Sequence, residues 1–520
     1  MSGLLTACAS DSSAGKGGTG KTLTTALQGG TPVSGGTLRV GTITGGASET
    51  LDPLYGLSIQ DSLRALQLYD GLFTIGSSAG EVVPALATSA ERNADGSVWT
   101  LHLRDGVVWH DGRTLDAADV IYSIRRWADP TSPLLAAVAG IDVAHLRRTG
   151  ALTVQVPMKA PTADLPALLA LPVLTGVVQA GATTKSLQAK PIGTGPFKYS
   201  SFQPGSRSEF VANKDYWQKN GPHFASVEIN SSFSDENARV NALLSGAVDL
   251  VPQASYLIAR QQMAAGKVHV FGAETSTLWN FPMRVDKGAL ADVRVRQALR
   301  MVADRQALID GALGGFGTPG NDLLGAGVKY YATDLKRVQD IDQAKSLLKQ
   351  AGHSDLRVTL QTSGVADGFT QAATLFAQQA KRAGITVKVD VVAPETYFTP
   401  AGGYLSAPFR TTFYSPAASL EGSYRSFLTP GGQNDSGWGL QSGGAGILSN
   451  LRRACAETDS ARAQERWAAI QKQQFDEGGL LGYANASVVN LAGDKLRGLR
   501  EGPVGFVNNG RLRDGWFAAN

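Results

Sequence analysis

The repeated order of helix, glycine and strand is the feature that most strongly limits the folds open to this chain. Apolar residues recur at helical spacing over 369–383, Gly384 ends that stretch, and 385–392 then alternates between apolar and polar residues as a strand does. Asp116 and Asp119 predict the capped start of another helix. Further helices are predicted over 58–68, 117–127, 234–244, 292–309, 342–351 and 462–475. This order is typical of the α/β class, in which helices cover a sheet.

The composition is that of a large globular protein. Of the 520 residues 43% are apolar and 18% are charged, which is ample for an extensive core. The formal net charge is only +4 and there is no basic run, so nucleic acid is not expected as a partner. The longest apolar stretch, 165–178, is short for a membrane helix and is interrupted by Pro166 and Pro172.

The N-terminus predicts a membrane anchor. Leu5-Thr6-Ala7-Cys8 resembles a bacterial lipobox, in which the cysteine is acylated, although only seven residues precede Cys8 and none of them is charged. We interpret residues 1–8 as a truncated lipoprotein signal, with Cys8 as the lipidated residue, and the Ser/Gly/Thr-rich stretch 9–36 as a flexible tether. The alternative is an ordinary cysteine in a polar tail.

Two short motifs raise enzymatic alternatives. Residues 15–22 satisfy the P-loop pattern of an ATPase, but no buried strand precedes them and no long helix follows. Residues 76–80 satisfy the G-x-S-x-G pattern of a serine hydrolase, but Pro84 falls where the required helix would run. The first context argues against an ATPase and the second against a serine hydrolase. The second motif is predicted to be a loop between two elements.

Neither catalysis nor metal binding is predicted elsewhere in the chain. The six histidines show no metal-ligand spacing, and no paired acid and base residues form a catalytic pattern. The other cysteine, Cys455, lies in a helical stretch and is predicted to be a small buried apolar residue rather than a disulfide partner. We therefore expect no cofactor, no metal and no enzymatic activity.

Three long segments resemble one protein family. They are 97–126 (SVWTLHLRDGVVWHDGRTLDAADVIYSIRR), 191–217 (PIGTGPFKYSSFQPGSRSEFVANKDYW) and 292–319 (DVRVRQALRMVADRQALIDGALGGFGTP). Taken together they are similar to the bacterial extracellular solute-binding proteins of family 5, the binding proteins of peptide- and nickel-type ABC importers. Within the first segment, Asp105-Gly106 predicts a two-residue hairpin turn, with Trp99 and Trp109 in the core.

The resemblance implies a two-lobed α/β clamp like that of periplasmic binding proteins, with an extra subdomain in lobe I. Lobe I would comprise 37–270 and 488–520, the inserted subdomain 53–190, and lobe II 271–487. It also implies a binding protein rather than an enzyme: a monomer outside the cytoplasm, held on the membrane by its lipid anchor or periplasmic. Such a protein would deliver peptides or peptide-like solutes to the transmembrane subunits of an ABC permease.

Ligand contacts in such a clamp come from loops that face the space between the lobes. Aromatic side chains there offer rigid apolar faces for stacking, and the alternative for each of them is packing in a core. The candidates are Tyr55, Trp279, Asn280, Phe413, Tyr414, Ser415 and Trp438.

The residues after Phe413 bear on the class of ligand. Many peptide-binding relatives carry an aspartate there that pairs with the ammonium group of the peptide, whereas this chain has S-P-A-A-S at 415–419 and Glu421 as the nearest acid. Residues 361–369 also lack the arginine that dipeptide-type relatives use for the carboxylate. Because an unpaired buried ammonium is unfavourable, a dipeptide held at both ends is not favoured. Longer peptides, oligosaccharides, opines and metal chelates stay open.

Overall fold

The structure is a computed structural model, and it describes residues 23–56, 58–170, 175–415, 417–428, 436–439, 445–503, 505 and 510–519. The strands are β1 Thr37–Ile43, β2 Phe73–Ile75, β3 Val82–Pro84, β4 Ala87–Arg92, β5 Val98–Leu103, β6 Arg147–Gly150, β7 Thr153–Pro157, β8 Phe197–Gln203, β9 Arg207–Ala212, β10 Ser226–Phe233, β11 Leu250–Val251, β12 His269–Asn280, β13 Gly317–Pro319, β14 Arg357–Ser363, β15 Thr386–Val392, β16 Thr412–Tyr414, β17 Gly482–Ala492, β18 Leu496–Arg497 and β19 Trp516–Phe517.

The helices lie between these strands along most of the chain. They are α1 Ile59–Leu68, α2 Ala117–Trp127, α3 Leu135–Val138, α4 Leu165–Leu169, α5 Thr184–Ala189, α6 Glu236–Leu244, α7 Tyr256–Ala265, α8 Val293–Val302, α9 Arg305–Ala312, α10 Ile341–Gln350, α11 Phe369–Ala380, α12 Leu420–Leu428, α13 Ala445–Ala456 and α14 Ser460–Glu477.

One large mixed sheet organises the molecule. Its strand order is β16-β12-β17-β11-β1-β10-β9-β8, with β13 also paired to β17. The strand β1 runs parallel to β10 and β11, whereas β12 and β17 form a long antiparallel pair. The register of that pair shifts between Glu274 and Leu278.

Separate cores lie at the two ends of the β12–β17 pair, and this gives the molecule two lobes. The first-lobe core contains Leu38, Phe210 and Ala492. The second-lobe core contains Phe281 and Tyr483, together with apolar residues of α8–α11 and of the parallel β14–β15 pair. The predicted α/β class with two lobes is confirmed. The predicted lobe limits at 270/271 and 487/488 fall inside β12 and β17, and they stay predictions.

A separate core and a separate sheet lie within the range predicted as the inserted subdomain. Its antiparallel sheet has the order β4-β5-β7-β6, and the core contains Trp99, Leu101, Trp109 and Val154. Trp109 is 1% exposed, so the prediction that both tryptophans of this segment are buried is confirmed. Below, the term inserted subdomain refers to the predicted range 53–190, which contains this sheet and every buried residue of this core except Ala418.

Helix starts agree with the predictions, and two local predictions are wrong. Asp116 and Asp119 form the predicted capping box of α2. The helix predicted over 292–309 is divided into α8 and α9, because the side chain of Asp304 caps a new helix. The Asp105-Gly106 turn does not join two paired strands, since β5 pairs with β4 and β7 instead. Long-range pairing therefore overrides the local turn signal.

The segment G-T-G-P at 193–196 lies close to the end of α1, and its glycines Gly193 and Gly195 allow this approach. A Cβ atom placed on Gly193 would meet the carbonyl oxygen of Leu68, well inside van der Waals distance. We expect Gly193→Ala to lower the free energy of unfolding by about 1–3 kcal/mol, as overpacking does. The matched control is Gly140→Ala, whose Cβ would lie 3.6 Å from the flexible end of Met158. Urea unfolding should leave the control near wild type, and equal midpoints for both variants would contradict the prediction.

Three arginines enclose one buried aspartate in the second lobe. Asp322 Oδ1 accepts from Arg305 at 2.7 Å and from the backbone amide of Gly482 at 3.0 Å. Its Oδ2 accepts from Arg337 at 3.0 Å, and Arg300 lies 3.9 Å away. Burial would raise the pKa of Asp322, but the three guanidinium groups outweigh it and hold that pKa below its ordinary value.

Candidate functional site

The predicted ligand residues of the second lobe meet where β12 and β16 pair. In that antiparallel ladder Trp279 lies opposite Phe413, and Leu278 lies opposite Tyr414. Successive side chains of a strand point to opposite faces of the sheet. The two aromatic residues of β16 that were predicted as ligand contacts are therefore on different faces.

One face holds a cluster of aromatic rings. The ring of Trp279 packs edge-on against Phe369 at 4.9 Å between centroids and stacks on Phe413 at 6.1 Å. Tyr256 approaches Trp279 at 6.2 Å. Trp279 is buried in the second-lobe core and Phe413 is half-buried beside it. These contacts place Trp279 and Phe413 together, with Phe413 the more accessible of the two.

The other face brings Tyr414 and Trp438 together. Both belong to a core formed mainly by α12, α13 and α14, and this core also includes Leu278. The ring of Tyr414 packs edge-on against Phe427 at 5.6 Å. Ser415, the next residue along the chain, is exposed. One exposed candidate, Ser415, therefore directly follows the buried candidate Tyr414 in the chain.

The remaining candidates have contrasting surroundings. Asn280 is fully buried, with Nδ2 donating to the carbonyl oxygen of Leu278 at 3.1 Å, and its Oδ1 has no partner among the described residues. Tyr55 lies in the first lobe at the end of the 3₁₀-helix Pro53–Tyr55 and is 38% exposed. The preceding Asp52 caps that short helix and pairs with Arg126. Among the described residues, no ring contact and no hydrogen bond joins Tyr55 to a second-lobe candidate.

The two lobes also touch away from the β12–β17 pair. Thr162 of the inserted subdomain donates to Glu421 of α12, and the backbone amide of Ala163 donates to the carbonyl oxygen of Cys455 at 2.8 Å. Ala79 of the inserted subdomain packs in the core of α12–α14. No local signal marks either residue as an inter-lobe contact: Thr162 lies in no motif or periodic segment, and Ala79 lies in the G-x-S-x-G pattern at 76–80, which predicted only a loop.

Burial dominates the electrostatics of this contact. It raises the pKa of Glu421, and nearby Arg425 and the hydroxyl of Thr162 only partly oppose it. Burial likewise raises the pKa of the Cys455 thiol well above its ordinary value. A thiol with a raised pKa is a poor nucleophile, which agrees with the predicted role of Cys455 as a small buried apolar residue.

The enzymatic alternatives gain no support from the described residues. Residues 76–80 form the turn between the antiparallel strands β2 and β3, whereas a nucleophile elbow requires a strand followed by a helix. The described part of the chain has no group of three His, Cys, Asp or Glu side chains that could hold a metal ion. The P-loop pattern at 15–22 and Cys8 lie outside the described residues.

A model of a known protein family matches most of the chain. The family model described as "Bacterial extracellular solute-binding proteins, family 5 Middle" matches residues 81–432, more than half of the chain. The chain belongs to the bacterial extracellular solute-binding proteins of family 5. The resemblance of the three long segments to this family is thereby confirmed.

The relatives of this family 5 protein are named for different ligands or were solved with different ligands. The dipeptide-binding protein of Escherichia coli K12 is 26% identical over 334 residues, which are 59% of this chain and 62% of that protein. The Helicobacter pylori protein DppA, solved with the peptide STSA, has a TM-score of 0.76 at 19% identity, covering 94% and 99% of the two chains. AgaA from A. tumefaciens R10, solved with agropinic acid, has a TM-score of 0.76 at 22% identity, covering 93% and 99%. The structural likeness confirms the two-lobed binding-protein fold.

None of the helices in the described ranges is both long enough and apolar enough to cross a bilayer.

Proposed function

We propose that this family 5 protein captures a solute between its two lobes outside the cytoplasm and delivers it to the permease of an ABC importer. The observation that carries the proposal is the pair of long strands β12 and β17, which connects two lobes that have separate cores. Two cores joined by two strands can rotate as units, and a solute that contacts both lobes only when they approach drives their closure. The permease then distinguishes the loaded protein from the empty one by shape.

Peptides or peptide-like solutes are the proposed ligands. The dipeptide-binding protein and the STSA complex among the relatives support this class. Glu421 is the acid nearest to Ser415 in the sequence. Its carboxylate is buried against Thr162 and Arg425, so it is not available to an ammonium group of the ligand. A peptide held along its backbone therefore suits the site better than a dipeptide held by its charged ends.

A non-peptide solute in the same role is the second candidate. The agropinic acid complex of AgaA supports an opine, and the same clamp could hold an oligosaccharide or a metal chelate through aromatic faces. The contacts proposed for either class are the seven candidates named above. Among them Ser415 and Tyr55 are exposed and Phe413 is half-buried, so these three are the most directly accessible to a solute.

Anchoring belongs to the same proposal. Acylation of Cys8 would hold the protein at the outer face of the membrane, with the residues that follow as a tether. We propose that the anchored protein is a monomer. In the range predicted as tether, the carbonyl oxygen of Thr24 accepts from the amide of Gly272 at 2.8 Å, so the chain contacts β12 before β1 begins. Mass spectrometry of the protein from membranes tests the anchor: a lipid mass on the peptide that contains Cys8 supports it, and a free thiol there contradicts it.

A thermal-shift screen tests the binding function. The panel should contain peptides of two to ten residues, opines, oligosaccharides and iron chelates. A solute at 100 times its Kd adds about 2.7 kcal/mol to the folded state, which gives a clear increase in Tm. A response to peptides supports the first candidate, and a response to opines, sugars or chelates alone supports the second. If no member of the panel stabilises the protein, the proposed function is contradicted.

Substitution at Ser415 locates the binding surface. We expect Ser415→Arg to weaken binding of the stabilising solute at least about tenfold, because a long cation would occupy the space beside Tyr414. The matched control is Ser346→Arg, which places the same side chain on an exposed position of α10. Isothermal titration should give a wild-type Kd for the control. Equal Kd values for both variants would remove Ser415 from the binding surface.

A further inference from the structure

The contact between the inserted subdomain and the second lobe is built from buried polar groups. The Oγ1 atom of Thr162 lies 2.9 Å from both carboxylate oxygens of Glu421. Thr162 is 1% exposed and Glu421 is 4% exposed, so both groups are buried at this contact. Beside them the amide of Ala163 donates to the carbonyl oxygen of Cys455 at 2.8 Å. The two sides of this contact are 259 residues apart in sequence.

Each side of the contact is held in place within its own unit. In the inserted subdomain, the amide of Thr162 donates to Gly96 at 3.2 Å, and its carbonyl oxygen accepts from Trp99 Nε1 at 3.3 Å. In the second lobe, Arg425 Nε donates to Glu421 Oε1 at 2.7 Å. The thiol of Cys455 also contacts Arg425 and Glu421. The hydroxyl and the carboxylate are therefore presented to each other by preformed supports.

Apolar side chains surround the polar pair. Ala418, which precedes α12, packs in the core of the inserted subdomain, and Leu168 of α4 approaches Gly422. The void at this place is about 10 Å³ and is lined by Ile141, Met158 and Leu165 among others. A space of that size holds no more than about one water molecule. The contact is buried, so the hydrogen bonds in it are stronger than they would be in water.

A second contact lies at the β2–β3 turn. Ala79 packs in the core of α12–α14, and a Cβ atom on Gly80 would lie 3.0 Å from the Cα atom of Val328. Both contacts join the inserted subdomain to the second lobe, the first at α12 and Cys455 and the second at the core of α12–α14 and Val328. If the lobes rotate apart about β12 and β17, both contacts must break.

We propose that the inserted subdomain is the latch of the clamp, and that Thr162 and Glu421 position the closed state without touching the solute. The proposal rests on the proposed function, because a latch matters only if the lobes open and close. The interaction exists in the closed state and is replaced by water in the open state, so it shifts the population of the two. The length of time that a solute is held thus depends on residues outside the binding surface.

Removal of the Thr162 hydroxyl should favour the open state. Thr162→Val keeps the shape of the side chain but takes away the donor to a buried carboxylate. We expect the ratio of open to closed protein to rise about tenfold, and the apparent affinity for a solute to fall in the same proportion. Thr162→Ser retains the hydroxyl and should restore the wild-type ratio.

The thiol of Cys455 provides the measurement, since it lies against Glu421 and Arg425 and is buried in the closed state. In a Cys8→Ser background it is the remaining cysteine of the sequence. Its rate of modification by N-ethylmaleimide, followed by mass spectrometry without any solute, reports opening of the contact. We expect Thr162→Val to be labelled about tenfold faster than the parent protein, and Thr162→Ser to be labelled at the parent rate.

The control separates opening from general loss of stability. Thr100→Val makes the same chemical change on β5 of the inserted subdomain, where Thr100 is half-buried and away from Glu421. It should leave the labelling rate unchanged. Equal rates for Thr162→Val and Thr100→Val, with both proteins folded by circular dichroism, would overturn the latch. Because this experiment needs no solute, its failure is distinct from a failure of the solute screen, which would contradict the proposed function instead.

Discussion

Asp322→Asn should lower the free energy of unfolding by about 3–5 kcal/mol, the range found when one partner of a buried ion pair is removed. The carboxylate of Asp322 is the acid shared by Arg300, Arg305 and Arg337, and without it three guanidinium groups would remain close together in the second-lobe core. Burial already lowers the pKa of Arg300 to about 9, which shows how unfavourable its charge is at this place. Asparagine also accepts the left-handed backbone of Asp322, with φ of 68°, so the change adds no backbone strain.

The matched control for this change is an exposed ion pair. Asp342 and Lys345 lie 3.8 Å apart on the surface of α10, with the side chain of Asp342 almost fully exposed. Asp342→Asn should change the free energy of unfolding by less than about 1 kcal/mol, since exposed pairs contribute little. Urea unfolding followed by tryptophan fluorescence measures both variants. If Asp322→Asn unfolds at the same urea concentration as the control, the buried cluster does not stabilise the lobe as described.

Glu501→Gln should stabilise the protein at pH 8 by on the order of 4 kcal/mol while having little effect near pH 4.5. Glu501 is buried, Asn490 donates to its Oε2, and its Oε1 has no partner among the described residues. Burial raises the pKa of Glu501 to about 8, against a smaller opposing effect of hydrogen bonds from Asn490 and Gly502. No cation faces it to favour the charged form within the described residues.

The sign of the pH dependence follows from that raised pKa. Between about pH 4.5 and pH 8 the unfolded chain has lost the Glu501 proton while the folded protein keeps it. The contribution of Glu501 to stability is therefore complete below pH 4.5 and is lost as the pH rises through 8. Glutamine has no proton to lose, so the difference between variant and wild type should grow across this range. Urea midpoints at pH 5, 6.5 and 8 measure it, and a constant difference would show that Glu501 is ionised in the folded protein.

Local signals in the sequence predicted those elements that local physics determines. The capping box of Asp116 and Asp119, the helix predicted over 58–68 and the strand that follows Gly384 all lie where the pattern indicated. The break between α8 and α9 had a signal in Asp304, a capping residue within an apolar repeat, which the longer periodicity obscured. The turn at 105–106 could not be assigned locally, because β5 finds its partners through β4 and β7.

The candidate site was less predictable because it depends on which face of a strand meets the other lobe. Trp279 and Phe413 share one face, whereas Tyr414 and Trp438 share another core, and only the register of β12 with β16 separates them. The contact of Thr162 with Glu421 joins residues 259 positions apart, and no periodicity connects them. The family resemblance supplied the two-lobed fold, but the inter-lobe contacts required the coordinates.

Small-angle X-ray scattering with and without a stabilising solute tests most directly whether this family 5 protein is a clamp that closes on its ligand. We expect the solute-free protein to have a larger radius of gyration than this structure, in which the inserted subdomain touches the second lobe. Addition of a solute found in the thermal-shift screen should contract the protein to the calculated value. A scattering profile that stays the same at saturating solute would contradict the account, because the two lobes would then not move relative to each other on binding.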